Sequence, residues 1–419
     1  MSVPQTDIPN RLESIYRTEY RKVYSTLVRL LNDWDLAEEV TNEAFAIAME
    51  RWTAEGMPEN PVAWLISVAK FKAIDAIRSN ARLAKNSPEI AQQMLERLHR
   101  NSAKRSLEIE DDQLRLIFAC CHPAIEPNVR IPLTLREVCG LTTEEIAAAF
   151  LVPPSTMAQR IVRGKNKIRI AKIPIEIPTR EEVPHRIQSV LAVLYLVFSE
   201  GYAASQGDRH LRPDLTSEAI RLGRLVASDL PDPEAIGLLA LMLLQESRSD
   251  ARLNANGDIV LLEEQDRTRW KRESISEGLV WLSQVPRAAP LGFYRIQALI
   301  AAVHARATTS EATDWAEIVQ LYDLLLQLRP SPIIQLNRAV AVAMRDGPLD
   351  GLKLMQSIAQ DRAMRSYHLL FAAQADLHRR LGNWQQAKSA YEQALAHADQ
   401  SAEQRFLKKR IAEVESQNS

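Results

Sequence analysis

LVPPSTMAQRIVRGKNKIR, residues 151–169, sets two prolines between an alanine-rich helical run and a strongly basic one. Just upstream, LTTEEIAAAF carries Thr142 and Glu145 at the spacing of a capping box, a helix-start signature. Ala147, Ala148 and Ala149 give that helix the small surface a crossing helix needs. Pro153 and Pro154 end it, and Ser155 or Thr156 can cap the next one. On that second helix Met157, Ile161 and Ile168 fall at helical spacing and are expected to face inward. Arg160, Arg163, Lys165, Lys167, Arg169 and Lys172 follow with no acidic residue among them. Two readings fit the stretch. It is a helix-turn-helix, with polar side chains for base edges and cations for phosphates, or it is a packed helix with a solvated basic face. Gly164 inside the second helix costs about 1 kcal/mol against alanine and is expected to loosen its C-terminal half.

The bulk numbers narrow the alternatives. A chain of 419 residues with 46% hydrophobic and 25% charged residues is long enough for two or three domains. Only 13 glycines occur and no alternating strand run of useful length appears, so an all-α fold is predicted. The net charge of −1 excludes a globally basic polyanion binder; any nucleic-acid contact must come from a local patch. The longest apolar stretch, Ser189 to Phe198, is too short to span a bilayer, and the N-terminus has no leader pattern. A cytoplasmic protein with no membrane contact is expected. Cys120 and Cys121 beside His122 invite a metal reading, but adjacent helical residues diverge and no second ligand pair follows. They read as buried small hydrophobes, and neither a metal nor a cofactor is expected. No HExxH, GxSxG, P-loop or GxGxxG occurs in a usable context, so an enzyme is not expected. Glu200, Asp208 and His210 imitate a polar site but fit a loop between helices better.

Upstream of the basic helix lie two more informative segments. EGMPENPVAWLISVAKFKAIDAIRSNAR starts a helix with Asn60 as N-cap and Pro61 at its first position. Trp64, Ser67, Phe71, Asp75, Arg78 and Arg82 share one face of it. Aromatics interleaved with cations suit stacking on unpaired bases, although Trp64 fits a core position equally well. Asp75 and Arg78 are spaced to pair. DWDLAEEVTNEAFAIAMERW reads as an acidic amphipathic helix, with Leu36, Val40, Ala44 and Ile47 inward and Asp35, Glu38, Glu39 and Asn42 outward. An acidic face beside a DNA-facing helix points to a protein partner.

DLAEEVTNEAFAIAMERW, PVAWLISVAKFKAIDAIR, DDQLRLIFACCHPAI and LTTEEIAAAFLVPPSTMAQRIVRGKNKIR occur in order. Together they resemble regions 2 and 4 of a bacterial sigma-70 family sigma factor of the extracytoplasmic-function type. YLVFSEGYAASQGD, LLALMLLQESR, LLEEQDRTRW and PSPIIQLNRAVAVAM resemble the subgroup with a long tetratricopeptide-like C-terminal extension. The resemblance implies region 2 over residues 10–82, a linker over 83–106, region 4 over 107–172, a proline-rich linker over 173–184 and the helical extension over 185–419. It implies core RNA polymerase (β′ clamp and β flap) and promoter DNA as partners. Asp35, Glu38, Glu39 and Asn42 match the polymerase-docking residues. Asn60, Trp64, Lys70, Lys72, Arg78 and Arg82 match residues on the −10 element. Ser155, Thr156, Gln159, Arg160, Arg163, Lys165 and Lys167 match residues on the −35 element. Phe71 stands where the family often has a polar or basic residue.

In FAAQADLHRRLGNWQQAKSAYEQAL, residues Phe371, Ala375, Gly382, Ala387, Tyr391 and Ala394 fall at tetratricopeptide-like offsets. Ile318, Tyr322, Leu325 and Pro330 repeat the second half of that pattern. The resemblance makes the extension a regulatory domain acting in cis, with a possible protein partner for its repeats. The rival reading is a helix-turn-helix regulator with a repeat sensor domain that acts without polymerase; it leaves Asp35 to Asn42 unexplained.

Overall fold

The computed structural model describes residues 8–83, 92, 95–96, 109–150, 152–176, 181–202, 213–230, 232–398 and 400–417. Most of the expected linker over 83–106, and Asp208 and His210, lie outside the described residues. Among the described residues the chain is helical throughout, with one isolated antiparallel bridge between Leu253 and Ile259. It divides into two compact units, Met1–Val193 and Leu194–Ser419, so the division falls inside a helix rather than in the proline-rich stretch.

The first unit begins with α1 (Ile8–Leu31), α2 (Trp34–Glu55) and α3 (Pro61–Leu83). Local chemistry sets their ends. The Asp33 carboxylate accepts from the amides of Asp35 and Leu36, and Gly56 leaves α2 with φ of +90°. Asn60 Oδ1 accepts from the Ala63 amide at 3.0 Å, the N-cap read from sequence. Leu65, Ala69, Ala73 and Ile77 are buried every fourth residue along α3. Small side chains in that row let α3 lie close to its neighbours. On α2 the buried residues are Trp34, Ala37, Val40, Thr41, Ala44, Phe45, Ala48 and Trp52. The stripe is rotated from the expected one: Leu36 and Ile47 are only half-buried, because Trp34, Phe45 and Trp52 supply the bulk and decide which face turns in.

Helices α4 (Ile109–Cys120), α5 (Pro127–Glu137), α6 (Thr143–Ala149) and α7 (Pro154–Ile170) come next in this unit. Thr142 and Glu145 form the reciprocal capping box: Glu145 Oε2 accepts from the Thr142 amide, and Thr142 Oγ1 from the Glu145 amide. Helix α8 (Val183–Tyr202) follows.

The second unit holds α9 (Pro213–Asp229), α10 (Pro233–Glu246), α11 (Arg272–Gln284), α12 (Phe293–Arg306), α13 (Trp315–Leu328), α14 (Pro332–Asp346), α15 (Pro348–Ile358), α16 (His368–Arg380), α17 (Trp384–Ala396) and α18 (Ser401–Gln417). Most pack chiefly on their neighbours in sequence, but α10 and α12 pack chiefly on each other. Gly237 on α10 meets the α12 backbone, where a Cβ would fall 2.7 Å from Arg295 Cα. Ala375, Ala387, Tyr391 and Ala394 gather in one buried cluster with Phe371 against it, and Gly382 makes the α16–α17 turn at φ of +73°. The segment 252–266 is tied to the last helices by Arg380–Glu263, Arg410–Glu264 and Arg405–Asp258. A cavity of about 300 Å³ lies beneath it, lined mainly by apolar groups including Leu262, Trp315, Met344, Leu369, Tyr391 and Phe406.

Candidate nucleic-acid interface

Helix α7 is positioned by the residues it buries. Met157, Ile161 and Ile168 are buried as expected, and Gly164 joins them. A Cβ on Gly164 would lie 2.9 Å from Val129 Cγ1 and 3.0 Å from Leu133 Cδ2. The glycine therefore sets a close crossing of α7 on α5 rather than loosening the helix. Pro153 takes the cap position without a side-chain cap bond and Pro154 opens the first turn. Ser155 and Thr156 thus lie inside the helix instead of capping it.

The opposite side of α7 faces outward. Ser155, Gln159, Arg163 and Lys167 are exposed, and Thr156 and Arg160 are half-buried along one edge. Val162 is 55% exposed between Gln159 and Arg163, and Asn166 lies one turn further on. Sequence reasoning passed over both; a wheel centred opposite Met157, Ile161 and Ile168 places them on this face. Lys165 is different. Its Nζ sits 3.2 Å from Glu137 Oε1 and 3.5 Å from Asp35 Oδ1, away from the exposed face.

On α3, Ser67, Phe71, Asp75 and Arg78 are exposed along one side. Phe71, 70% exposed, is the most exposed aromatic side chain among the described residues. Trp64 is half-buried and packs edge-on against buried Trp52, with ring centroids 5.3 Å apart. It therefore has both of the characters that the sequence left open. Lys70 is half-buried on the flank, and Lys72 pairs with Glu43 at 3.5 Å. Asn60 is exposed but commits its Oδ1 to the helix cap. The backbone of Arg82 belongs to α3, and its side chain lies outside the described residues. No ion pair joins Asp75 to Arg78.

On α2, Asp35, Glu39 and Asn42 are exposed and Glu38 is half-buried. Asn42 Oδ1 accepts from the Tyr20 hydroxyl at 3.0 Å, and Arg136 on α5 approaches Glu38 at 3.8 Å. The contact continues inward. Tyr24 on α1 donates to buried Glu137, while Arg29 on α1 pairs with Asp112, whose side chain is 2% exposed. Burial, and then the neighbouring Glu137 carboxylate, push the Tyr24 phenol well above its usual range, so it stays a donor.

Three family models match consecutive parts of the chain: Sigma-70 region 2 over residues 15–83, Sigma-70 region 4 over 115–168, and a family of unknown function (DUF6596) over 186–285. The first covers the α1–α3 bundle and the second covers α4–α7. The chain carries regions 2 and 4 of a sigma-70 family sigma factor. It also belongs to one family with an uncharacterized protein of Rhizobium meliloti (strain 1021), R00370, which is 40% identical over 388 residues, 92% of this chain and 91% of the relative. The ECF RNA polymerase sigma factor SigE of Mycolicibacterium smegmatis is 24% identical over 157 residues, 38% of this chain and 60% of its own length. No solved structure matches.

With the family in hand, α6 and α7 are the helix-turn-helix of a DNA-binding transcription factor. The cysteines lie outside its exposed faces. Cys120 and Cys121 are fully buried, and burial raises the Cys121 thiol to about 12, so both are packing residues. Among the described residues no three His, Cys, Asp or Glu side chains gather as metal ligands, and no helix is long and apolar enough to cross a membrane.

Proposed function

We propose that this sigma factor is of the extracytoplasmic-function type, binds core RNA polymerase through α2, and directs initiation at promoters whose −10 and −35 elements it reads through α3 and α7. The observation that carries the reading is one helix of each kind: α2 presents Asp35, Glu38, Glu39 and Asn42, α3 presents Phe71 and Arg78, and α7 presents Ser155, Gln159 and Arg163. Exposed aromatic and cationic groups on one helix suit melted single strand, and a polar, basic helix behind a turn suits the major groove. A net charge of −1 fits a protein whose DNA affinity is completed by polymerase. The second unit is proposed as a tetratricopeptide-like domain that modulates the sigma unit in cis or holds a protein partner. Its helix pairs with small buried crossings and its apolar cavity support that role.

The test is docking. Core polymerase pulled down with the full-length chain should retain it. Replacing Asp35, Glu39 and Asn42 together by alanine should weaken retention at least tenfold while far-ultraviolet circular dichroism shows the helical fold kept. Retention that survives the triple replacement unchanged contradicts the assignment of α2.

A further inference from the structure

We infer that the cavity of the second unit is a binding site for a small carboxylic acid with an apolar body, and that Arg267 is the cation that receives the carboxylate. The inference goes beyond the sigma-factor reading and does not depend on it. Side chains of α12 to α14 and of α16 to α18 line the cavity, and Leu261, Leu262 and Glu263 of the 252–266 segment form one wall. Ion pairs from Glu263, Glu264 and Asp258 tie that segment to α16 and α18.

Size and lining set the body of the ligand. Protein interiors keep few voids larger than a water molecule, whereas this one measures about 300 Å³. An apolar cavity of about 150 Å³ takes one benzene, so the space suits about a dozen non-hydrogen atoms. Trp315, Tyr391 and Phe406 give it an aromatic lining, and Leu262, Met344 and Leu369 an aliphatic one. Such walls favour a ring or a branched chain over a polar body.

Charge sets the head group. Of the charged side chains in the lining, Arg380 pairs with both Glu263 and Asp376, and Asp376 pairs with Arg379 as well, so that cluster is neutral. Arg267 is left over. It is 7% exposed, and no carboxylate of the described residues makes an ion pair with it; Glu311 acts on it only at longer range. Its Nη1 donates to the carbonyls of His304 and Ala307 at 2.8 and 2.7 Å, and its Nη2 to Thr313 Oγ1 at 3.2 Å. Those carbonyls end α12, where the helix dipole amounts to about half a negative charge. They hold the guanidinium in place without matching its charge, and a carboxylate in the cavity supplies the remainder. His304, also in the lining, has no hydrogen-bond partner at Nδ1. Burial keeps its ring neutral near pH 7, so it adds a polar neighbour and no competing charge.

The experiment is calorimetric titration of the full-length chain with 3-phenylpropionate, indole-3-propionate and 4-methylpentanoate, each beside the alcohol of the same carbon skeleton. At least one acid should bind with a Kd below about 1 mM. Its alcohol should bind roughly tenfold more weakly, the effect of losing a hydrogen bond to a charged group. Arg267→Gln, which keeps a donor for the α12 carbonyls, should erase the difference between acid and alcohol. Val340→Trp, which fills the cavity from α14, should abolish binding of both, with far-ultraviolet circular dichroism confirming that both variants fold. The comparison of acid with alcohol on the unaltered chain holds whether or not a variant folds. Binding by none of the three acids overturns the site. An alcohol that binds as tightly as its acid overturns the role of Arg267, and binding undisturbed by Val340→Trp overturns the cavity as its place. Polymerase binding enters none of these outcomes, so the sigma-factor reading stands or falls separately.

Discussion

Gly164 shows how far one residue's meaning depends on what lies opposite. Read along the helix it is a weak point; in the folded chain it is where α7 approaches Val129 and Leu133. Gly164→Val recovers roughly half a kcal/mol of helix propensity but forces methyl groups into a filled contact at a cost of about 1–3 kcal/mol. The expected net result is a loss of about 1–2 kcal/mol in urea unfolding; a stabilised variant would refute the close crossing. His304 is a second case. Burial, reinforced by Arg248 and Arg267, lowers its pKa to about 4. The unfolded chain, titrating near 6.5, then binds more protons between those values, so stability is fully present above about pH 6.5 and falls as pH drops toward 4. The ceiling is about 3 kcal/mol. His304→Phe keeps a ring against Trp315 and should shrink the difference in melting temperature between pH 7 and pH 5. An undiminished difference would assign the slope to other groups.

At the scale of the element, what was legible in sequence was what is local. The Asn60 cap and the Thr142–Glu145 box are made by residues three apart, and the buried row of α7 follows from its spacing. Thr142→Ala should accordingly cost about 1 kcal/mol, read from denaturant unfolding, and a neutral result would mean the box adds nothing. The inward phase of α2 was less legible, because alanines and a threonine share the buried stripe with tryptophan and phenylalanine, and hydrophobicity alone does not rank them. Least legible was the environment of Lys165. Its partners are Asp35, far away in the chain, and Glu137 on another helix, and no periodicity reports a pairing between modules. The same limit hid Tyr24, Arg29 and Arg136. Val162 and Asn166 fall on the wheel opposite Met157, Ile161 and Ile168, but neither carries the charge that marks their neighbours as candidate DNA contacts.

For the whole molecule, the proposed division of labour is one helix for polymerase, one for melted DNA and one for duplex, beside a second unit of packed helix pairs. That division follows from which faces stay exposed after each helix has buried its row. The central claim is that this set of faces initiates transcription, and it is tested most directly by run-off transcription with purified full-length chain, core polymerase and a library of genomic promoter fragments. The account predicts discrete transcripts that require the added chain and fall at least tenfold when Gln159 and Arg163 are both alanine. Core polymerase giving the same transcripts with and without the chain would contradict it.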